Sequence, residues 1–295
     1  MTGIVDAHHH IWRQADLPWL TGPMQPRIFG PYEPIRRDYP IPEYLNDLAG
    51  NGVVKSVYVQ TNWAKERFEE ETAWVQRTSE ETGWPHAIVA YADFGTDDVR
   101  RQLDRLKRYS LVRGVRMQLH WHENPLYRFA ARADLCADPA IRRNVARLAD
   151  YSWSFDLQVF APQMPDAAGL AEACPDVTFV LQHAGMLEDL SPAGWAAWRA
   201  GMVRLASRPN VVSKLSGLGT FIHRNDPAQV AAIVAETVDI FGPNRCLFGS
   251  NFPIEKLWTS YRSLVQAYLD ATKSDPRHRD AILRDTAMRI YRLAP

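Results

Sequence analysis

Short runs of apolar and β-branched residues recur along the chain, and longer stretches with helical periodicity separate them. Alternation of this kind predicts parallel strands covered by helices. An open doubly wound sheet would usually carry a Gly-rich phosphate turn after its first strand, whereas histidines follow this one. We therefore predict a (β/α)8 barrel formed by a single domain, residues 1–295. The eight predicted strands are Gly3–Ala7, Val53–Gln60, His86–Ala92, Leu111–Leu119, Ser154–Phe160, Val177–Gln182, Val211–Leu215 and Cys246–Ser250.

The segments between the strands carry helix-start signals, among them Asp138, Ser191 and Asp226, each of which stands directly before a proline. The Pro-rich stretch Leu17–Pro42 is predicted to be a long loop after the first strand, of the kind that forms an active-site lid. The final helix, Arg277–Tyr291, is expected on the outside of the barrel. The other predicted helices are one that begins at Pro42, then Lys65–Thr82, Thr96–Tyr109, Pro139–Tyr151, a short one near Asp166–Ala173, Ser191–Ala206, Pro227–Phe241 and Trp258–Ala271.

The composition is that of an ordinary globular protein, with 46% hydrophobic and 23% charged residues. The 34 basic residues balance the 34 acidic ones, so we expect no nucleic-acid partner. The first residues lack the features of a signal peptide, and no stretch approaches the roughly 18 apolar residues of a membrane helix, so we expect a cytoplasmic protein. The three cysteines are far apart and are expected to be reduced and buried.

Three histidines are the first candidates for chemistry. Residues two apart in a strand point to the same side, so His8 and His10 project together at the end of the first strand while His9 faces away. His183 follows the sixth strand and is expected at the same carboxyl-end mouth, where barrel enzymes place their catalytic groups. Three imidazoles from these strands can bind a divalent metal ion, or act as acid, base and oxyanion donors.

Three motifs together resemble a known family. Residues Val5–His10, Gln182–Gly185 and Phe248–Pro253 are similar to the amidohydrolase-2 family of the amidohydrolase superfamily. More narrowly, they resemble its lactonase branch of sugar lactonases, sulfomuconolactonase and 2-pyrone-4,6-dicarboxylate lactonase. The resemblance extends over nearly the whole chain. It implies a distorted TIM barrel with a His-x-His pair on strand one, a histidine on strand six and an aspartate on strand eight that activates water.

This sequence departs from the family pattern at strand eight, where Asn251 stands in the place of the usual aspartate. An amide has no useful basicity, so Asn251 cannot deprotonate water, although it can orient water or hydrogen-bond a substrate carbonyl. The base must then be sought elsewhere, and the candidates are His120, His122 and Glu123. His120 is favoured because its neutral form is available at pH 7.

The segment that contains these candidates also offers groups that can bind a substrate. Arg116, Gln118 and His120 share one face of the fourth strand by parity, and His122 continues that face if the extended conformation persists. Arg116 and Arg128, with Tyr127 beside the latter, can grip a substrate carboxylate in a planar, bidentate way.

Two further polar residues lie on predicted strands. Gln60 ends the second strand and is expected to line the same pocket. Lys214 lies in the seventh strand, where it either lines the pocket or is buried against an acid such as Asp6.

These features predict a hydrolase that opens the lactone ring of a small sugar acid or carboxylated lactone. A lactone isomerase or non-oxidative decarboxylase on the same scaffold is the first alternative, and a non-catalytic ligand-binding barrel is the second. One divalent ion, zinc before others, held by His8, His10 and His183 would compensate for the missing aspartate. Loss of that carboxylate weakens metal binding, and the lactonase branch includes enzymes that work without metal, so metal-free catalysis is an equal option. The oligomeric state and the exact substrate stay open.

Overall fold

The eight apolar runs form eight parallel strands, as the sequence predicts, in a computed structural model that describes residues 3–294. Consecutive strands are neighbours, and Phe252 after the last strand pairs in parallel with His9 of the first. The backbone N–H of Asn251 also donates to the His8 carbonyl at 2.7 Å, which closes the barrel. The strands are β1 (Ile4–His9), β2 (Val53–Val59), β3 (Ala87–Ala90), β4 (Val112–Val115), β5 (Ser154–Leu157), β6 (Phe179–Leu181), β7 (Val211–Leu215) and β8 (Cys246–Phe248).

Helices surround the strands at the predicted places, although α4 begins later than the predicted Thr96. The side chains of Asp138, Ser191 and Asp226 each accept backbone N–H groups at a helix start, which confirms the three predicted caps. No helix within residues 3–294 is long and apolar enough to cross a membrane. The helices are α1 (Pro18–Thr21), α2 (Ile41–Leu48), α3 (Phe68–Thr82), α4 (Arg100–Leu106), α5 (Pro139–Ala146), α6 (Met164–Ala173), α7 (Pro192–Ala206), α8 (Pro227–Phe241), α9 (Tyr261–Ala271), α10 (Pro276–Asp280) and α11 (Thr286–Ile290).

A bulge in β1 turns His8 into the barrel. Its two residues Ala7 and His8 face the single residue Val57 of β2. In a regular strand, Asp6 and His8 would point to the same side. The bulge instead lets Asp6 face the helices, where tyrosines of α2 and α9 donate hydrogen bonds to its carboxyl group, while His8 faces the interior.

The end of the chain plugs the barrel, so the prediction of a final helix on the outside is wrong. The segment consists of α10, a π-helical turn and α11. Its side chains Ala287, Ile290, Tyr291 and Leu293 form one buried cluster with inward-facing residues of β1, β2, β3, β6, β7 and β8. These apolar groups cover the end of the barrel opposite the histidines, where the strand side chains would otherwise meet water.

Candidate active site

A cavity of about 420 Å³ opens where the strands end. The segment between β1 and α2 contributes Trp19, Arg27 and Phe29 to its wall, and the predicted loop Leu17–Pro42 contains the short helix α1. His8 and His122 do not belong to the wall. Nine of the residues predicted from the sequence do line it, namely His10, Gln60, Arg116, Gln118, His120, Tyr127, Arg128, His183 and Asn251.

The histidine pair of β1 converges as strand parity predicts. The Nε2 atoms of His8 and His10 lie 3.3 Å apart, and the ring centroids of His8 and His183 lie 4.9 Å apart. The Nδ1 atom of His10 is 2.7 Å from the carbonyl oxygen of Val59. A carbonyl can only accept, so His10 carries its proton on Nδ1 and presents the lone pair of Nε2. His9 points away and stacks on a tyrosine of α2.

All three imidazoles are neutral at physiological pH. Burial lowers the pKa of His10 to about 3 and that of His183 to about 3, and it places the pKa of His8 well below its ordinary value. The positive charges of Arg116 and Lys214 lower all three pKa values further. Each ring therefore offers a lone pair and one N–H group rather than a positive charge.

The position of His183 is fixed by its own backbone conformation and by a residue directly after β7. It has a positive φ of 53°, and its Nδ1 atom lies 2.9 Å from the hydroxyl oxygen of Ser216. Gly217 has a φ of +60°, and a Cβ there would lie 2.7 Å from the same Nδ1 atom, so a side chain would displace the imidazole. The sequence gives Ser216 no role, and its position directly after β7 is the signal that points to the site.

Asn251 lies one turn before a buried acid, Glu255, that the sequence does not mark as part of a site. The backbone N–H of Glu255 donates to the Asn251 carbonyl at 3.3 Å, and Asn251 lines the cavity. Glu255 is only 1% exposed, and its Oε2 atom accepts a hydrogen bond from the Trp258 indole at 2.8 Å. In the sequence Glu255 stands beside Lys256 like an ordinary surface residue, and only the fold reveals that it is buried.

Arg116, Gln118 and His120 line the cavity together, as parity predicts, although they follow β4, which ends at Val115 and not at the predicted Leu119. Arg116 is 4% exposed, and its Nη2 atom donates to the Gln60 carbonyl at 2.6 Å. Burial lowers the pKa of Arg116 to about 10, so the guanidinium stays charged at neutral pH. His120 is also buried, packs against Phe129, and has its pKa lowered by burial to about 3.

The other two candidate bases lie away from the cavity. The Nε2 atom of His122 is 3.5 Å from a carboxyl oxygen of Glu188, and Glu123 is exposed on the loop. Arg128 does line the cavity, but its guanidinium donates to the backbone carbonyls of His122 and Glu123 and stacks over Trp121. His120 is therefore the one of the three candidate bases that reaches the cavity.

Lys214 lies below the cavity rather than in its wall. Its Nζ atom is 2.8 Å from a carboxyl oxygen of Asp156 on β5, and both side chains are fully buried. The expected alternative partner Asp6 instead accepts hydrogen bonds from Ser250. Because β5 and β7 both face the interior, the pair forms across the barrel, a contact that a strand-by-strand interpretation does not identify.

The wall of the cavity is positively charged. It contains four cations and neither Asp nor Glu. None of the four forms an ion pair within residues 3–294. The Nε atoms of two of them are buried without a hydrogen-bond partner. Arg116 is buried and Arg27 is half-buried, and a cation that is removed from water without an ion pair favours an anionic ligand, whereas Lys65 and Arg128 are exposed. The four are Arg27, Lys65, Arg116 and Arg128, of which Arg27 and Arg116 have the unpartnered Nε atoms.

Comparison with known proteins assigns the family. The profile of the family described as amidohydrolase matches residues 5–293. The chain belongs to the amidohydrolase family. An L-fucono-1,5-lactonase from Burkholderia multivorans is 30% identical to this amidohydrolase over 98% of the chain and 96% of its own length. An uncharacterized protein from Sinorhizobium fredii is 34% identical over 98% of both chains.

A solved structure is similar over the whole fold. An amidohydrolase from Burkholderia multivorans with bound zinc superposes with a TM-score of 0.82 and 27% identity, and the alignment covers 99% of this chain and 100% of that one. The barrel and the family resemblance predicted from the sequence are thereby confirmed.

Because that structure contains zinc, the three histidines are the candidates for a metal site in this amidohydrolase. The 3.3 Å between the Nε2 atoms of His8 and His10 matches the span of two Zn–N bonds of about 2.0–2.1 Å at a tetrahedral angle. However, no group of three or more His, Cys, Asp or Glu side chains among residues 3–294 is placed to hold a metal ion. Asn251 adds no negative charge, and the positively charged side chains nearby disfavour the binding of another cation. The donor set does not fit a resident divalent cation.

Proposed function

We propose that this protein hydrolyses the lactone ring of a small acidic molecule by attack of water on the lactone carbonyl. The observation that carries the proposal is the cavity itself, in which neutral imidazoles lie in one wall with unpaired guanidinium groups. The 30% identity to an L-fucono-1,5-lactonase over nearly the full length of both chains supports lactone chemistry.

The cations of the wall define the substrate more narrowly. Arg116 offers a planar pair of N–H groups at the base of the cavity, which suits a carboxylate or the carbonyl oxygen of the lactone. Arg27 and Lys65 provide further positive charge from the loops after β1 and β2. With no acidic side chain in the wall to repel it, a lactone that carries a carboxylate gains more from this cavity than a neutral sugar lactone does.

The side chains suffice for each step of the hydrolysis. Water attacks the carbonyl carbon, and its proton passes to the free nitrogen of the neutral His120 ring. The oxyanion that forms is stabilised by N–H groups of Arg116 and of the Asn251 amide. The C–O ring bond then breaks, and the departing ring oxygen takes the proton from the imidazolium, which yields the hydroxy acid and restores neutral His120.

The low pKa of His120 is compatible with this role. It is set by burial and by the charge of Arg116. A substrate carboxylate or an oxyanion bound beside Arg116 offsets that positive charge and raises the pKa of the imidazole while the reaction proceeds. His183, whose Nδ1 can accept from the Ser216 hydroxyl, donates its Nε2–H to the substrate carbonyl, whereas His10 offers only its Nε2 lone pair and accepts a hydrogen bond from a substrate hydroxyl or from water.

We propose that these steps need no metal, because the donor set fits a divalent cation poorly. A zinc ion, if bound, would activate water and would be held by His8, His10 and His183. Treatment with a chelator, followed by its removal, should leave the hydrolysis rate unchanged, and added zinc should not raise it. Loss of activity on chelation with recovery on zinc addition would contradict the metal-free route.

A matched pair of substrates tests the proposed function. The purified protein is supplied with a neutral aldono-1,5-lactone and with lactones of the same ring size that add one carboxylate, and acid release is followed in a pH-stat with the spontaneous rate subtracted. We expect ring opening of both types, with kcat/KM at least about tenfold higher for the acidic lactones, as one charge-assisted hydrogen bond would give. No release above background from any lactone would overturn the proposal.

A further inference from the structure

The cavity has two parts that differ in exposure and in chemistry. Its floor consists of polar residues at or near the strand ends that are no more than 6% exposed, namely His10, Gln60, Arg116, Gln158 and Asn251. The residues further along the loops are half-buried or exposed, so they lie nearer the opening of the cavity. We call the large apolar and aromatic ones among them the outer wall, which consists of Trp19, Phe29, Leu126, Tyr127, Phe129 and Phe221.

Contacts between loops hold the outer wall in place. The Trp19 indole donates to the Thr61 carbonyl at 2.9 Å, which joins the segments after β1 and β2. The rings of Tyr127 and Phe221 meet edge to face with their centroids 5.4 Å apart, which joins the loops after β4 and β7. The apolar side chains above the floor are thus supported by four loops that contact one another in pairs.

The outer wall leaves apolar surface in contact with water. Six large apolar side chains are exposed within residues 3–294, and two of them, Leu126 and Phe129, line this one cavity. Leu126 is 39% exposed and Phe129 is 46% exposed. Exposed apolar side chains that cluster at a cavity are typical of a binding site, because a ligand that covers them removes their surface from water.

The cavity is also larger than the reacting ring requires. Its volume of about 420 Å³ lies within the range of roughly 300–1,000 Å³ for pockets that take drug-sized ligands. A single lactone ring with a carboxylate is smaller than such a ligand and binds at the floor, so the space between floor and opening is left for a substituent. A second sugar ring would favour carboxylate acceptors for its hydroxyl groups, and the cavity wall contains neither Asp nor Glu.

We propose that the outer wall is a subsite for an aromatic ring carried by the substrate, so that the substrate is an aryl-substituted lactone acid. The lactone and its carboxylate lie on the floor beside Arg116, and the aryl group packs between Phe221 and the loop that contains Leu126 and Tyr127. A flat apolar ring suits this subsite because aromatic side chains pair with it in offset or edge-to-face geometry. The proposal deepens the lactone hydrolysis proposed above and rests on it.

The first test compares three lactone acids that share the ring and the carboxylate and differ in one substituent, which is a methyl, a phenyl or a glucosyl group. We expect kcat/KM for the phenyl lactone to exceed that for the methyl lactone by at least about tenfold, since a single methylene in an apolar pocket already changes kcat/KM by about tenfold or more. The glucosyl lactone should not exceed the methyl lactone. Equal values for phenyl and methyl, or a preference for glucosyl, would overturn the proposal.

A matched pair of leucine variants tests the location of the subsite. Leu126→Ala removes a side chain of the outer wall, and the control Leu190→Ala removes one that is 40% exposed and does not line the cavity. We expect Leu126→Ala and Phe221→Ala to lower kcat/KM for the phenyl lactone by about three- to tenfold and that for the methyl lactone less. Leu190→Ala should change neither value.

The two leucines are exposed, so their replacement should not disturb folding, and circular dichroism verifies this. An outer wall that only excludes water from the floor predicts a different result, in which Leu126→Ala lowers kcat/KM equally for the phenyl and the methyl lactone. That result would overturn the proposal.

Binding of unreactive analogues separates this proposal from the proposed function. The corresponding lactams keep the ring, the carboxylate and the substituent but resist hydrolysis, and isothermal titration calorimetry measures their affinity. We expect the phenyl lactam to bind at least about tenfold more tightly than the methyl lactam, with a more negative heat-capacity change. If no lactone is hydrolysed but this preference is present, the lactonase proposal fails while the subsite stands. If lactones are hydrolysed and the two lactams bind equally, the subsite proposal fails.

Discussion

His8 and His10 face each other through Nε2 atoms 3.3 Å apart, yet only His10 reaches the cavity. The two roles follow from the bulge in β1, which brings the fully buried His8 inside and directly behind His10. His8 also contacts the ring of His183, so one buried imidazole packs against both histidines of the cavity wall. In the proposed reaction, the two rings that line the cavity are the ones that contact the substrate.

Replacement of a cavity histidine should therefore impair the reaction directly. His183→Gln or His10→Gln is expected to lower kcat/KM for lactone opening by about 10²–10⁴-fold, the range for a group that assists proton transfer or binds developing charge. His122→Gln is the control, because His122 contacts Glu188 away from the cavity wall, and it should retain nearly full activity. Equal losses in His122 and His183 variants would place the chemistry elsewhere.

Arg116 should distinguish acidic from neutral substrates. Arg116→Lys keeps the charge but loses the planar pair of N–H groups, so we expect kcat/KM for acidic lactones to fall by at least about tenfold and that for neutral lactones to fall less. Steady-state kinetics on both substrates, with circular dichroism to verify folding, measure the difference. The same fall for both substrates would show that Arg116 does not contact the substrate carboxylate.

Replacement of one member of the buried Lys214–Asp156 pair should destabilise the protein more than replacement of both. Lys214→Met leaves the carboxylate of Asp156 buried without its cation and should lower the free energy of unfolding by about 3–5 kcal/mol. The double variant Lys214→Met/Asp156→Leu should recover a large part of that loss. Urea denaturation measures both, and a double variant no more stable than the single one would show that the pair is not an isolated unit.

The buried neutral histidines should make the fold sensitive to acid. His120 has a folded-state pKa of about 3, so as the pH falls below about 6.5 the unfolded chain binds a proton that the folded chain does not. The contribution of His120 to stability should thus decline as the pH falls from 7.5 to 5. Comparison of the wild type with His120→Asn isolates this contribution, and His278→Asn, at an exposed histidine, is the control. A stability difference independent of pH would contradict a neutral buried His120.

Strand parity and strand-end position were sufficient to predict most of the site. They predict that one mouth of the barrel contains His10, His183, Arg116, Gln118 and His120. The direction of these side chains follows from the local geometry of the strands. The loop after β4 could not be predicted in the same way: the chain bends there, so His122 does not continue the face of the strand.

The remaining features depend on contacts between distant segments. The partner of Lys214 lies across the barrel on β5, and the burial of Glu255 depends on Trp258 and on the loop after β7. The final helix has the apolar stripe of an outer helix, but the open end of the barrel offers it a larger apolar surface to cover. None of these pairings leaves a periodic signal in the sequence.

The central claim is that water opens a lactone in this cavity, and isotope incorporation tests it most directly. An acidic lactone is incubated with the protein in H₂¹⁸O, and the product is analysed by mass spectrometry against a reaction with His183→Gln. The account predicts a ring-opened hydroxy acid with one ¹⁸O atom in its new carboxylate, formed by the wild type and not above background by the variant. An isomerised lactone, release of CO₂, or a product without ¹⁸O would contradict it.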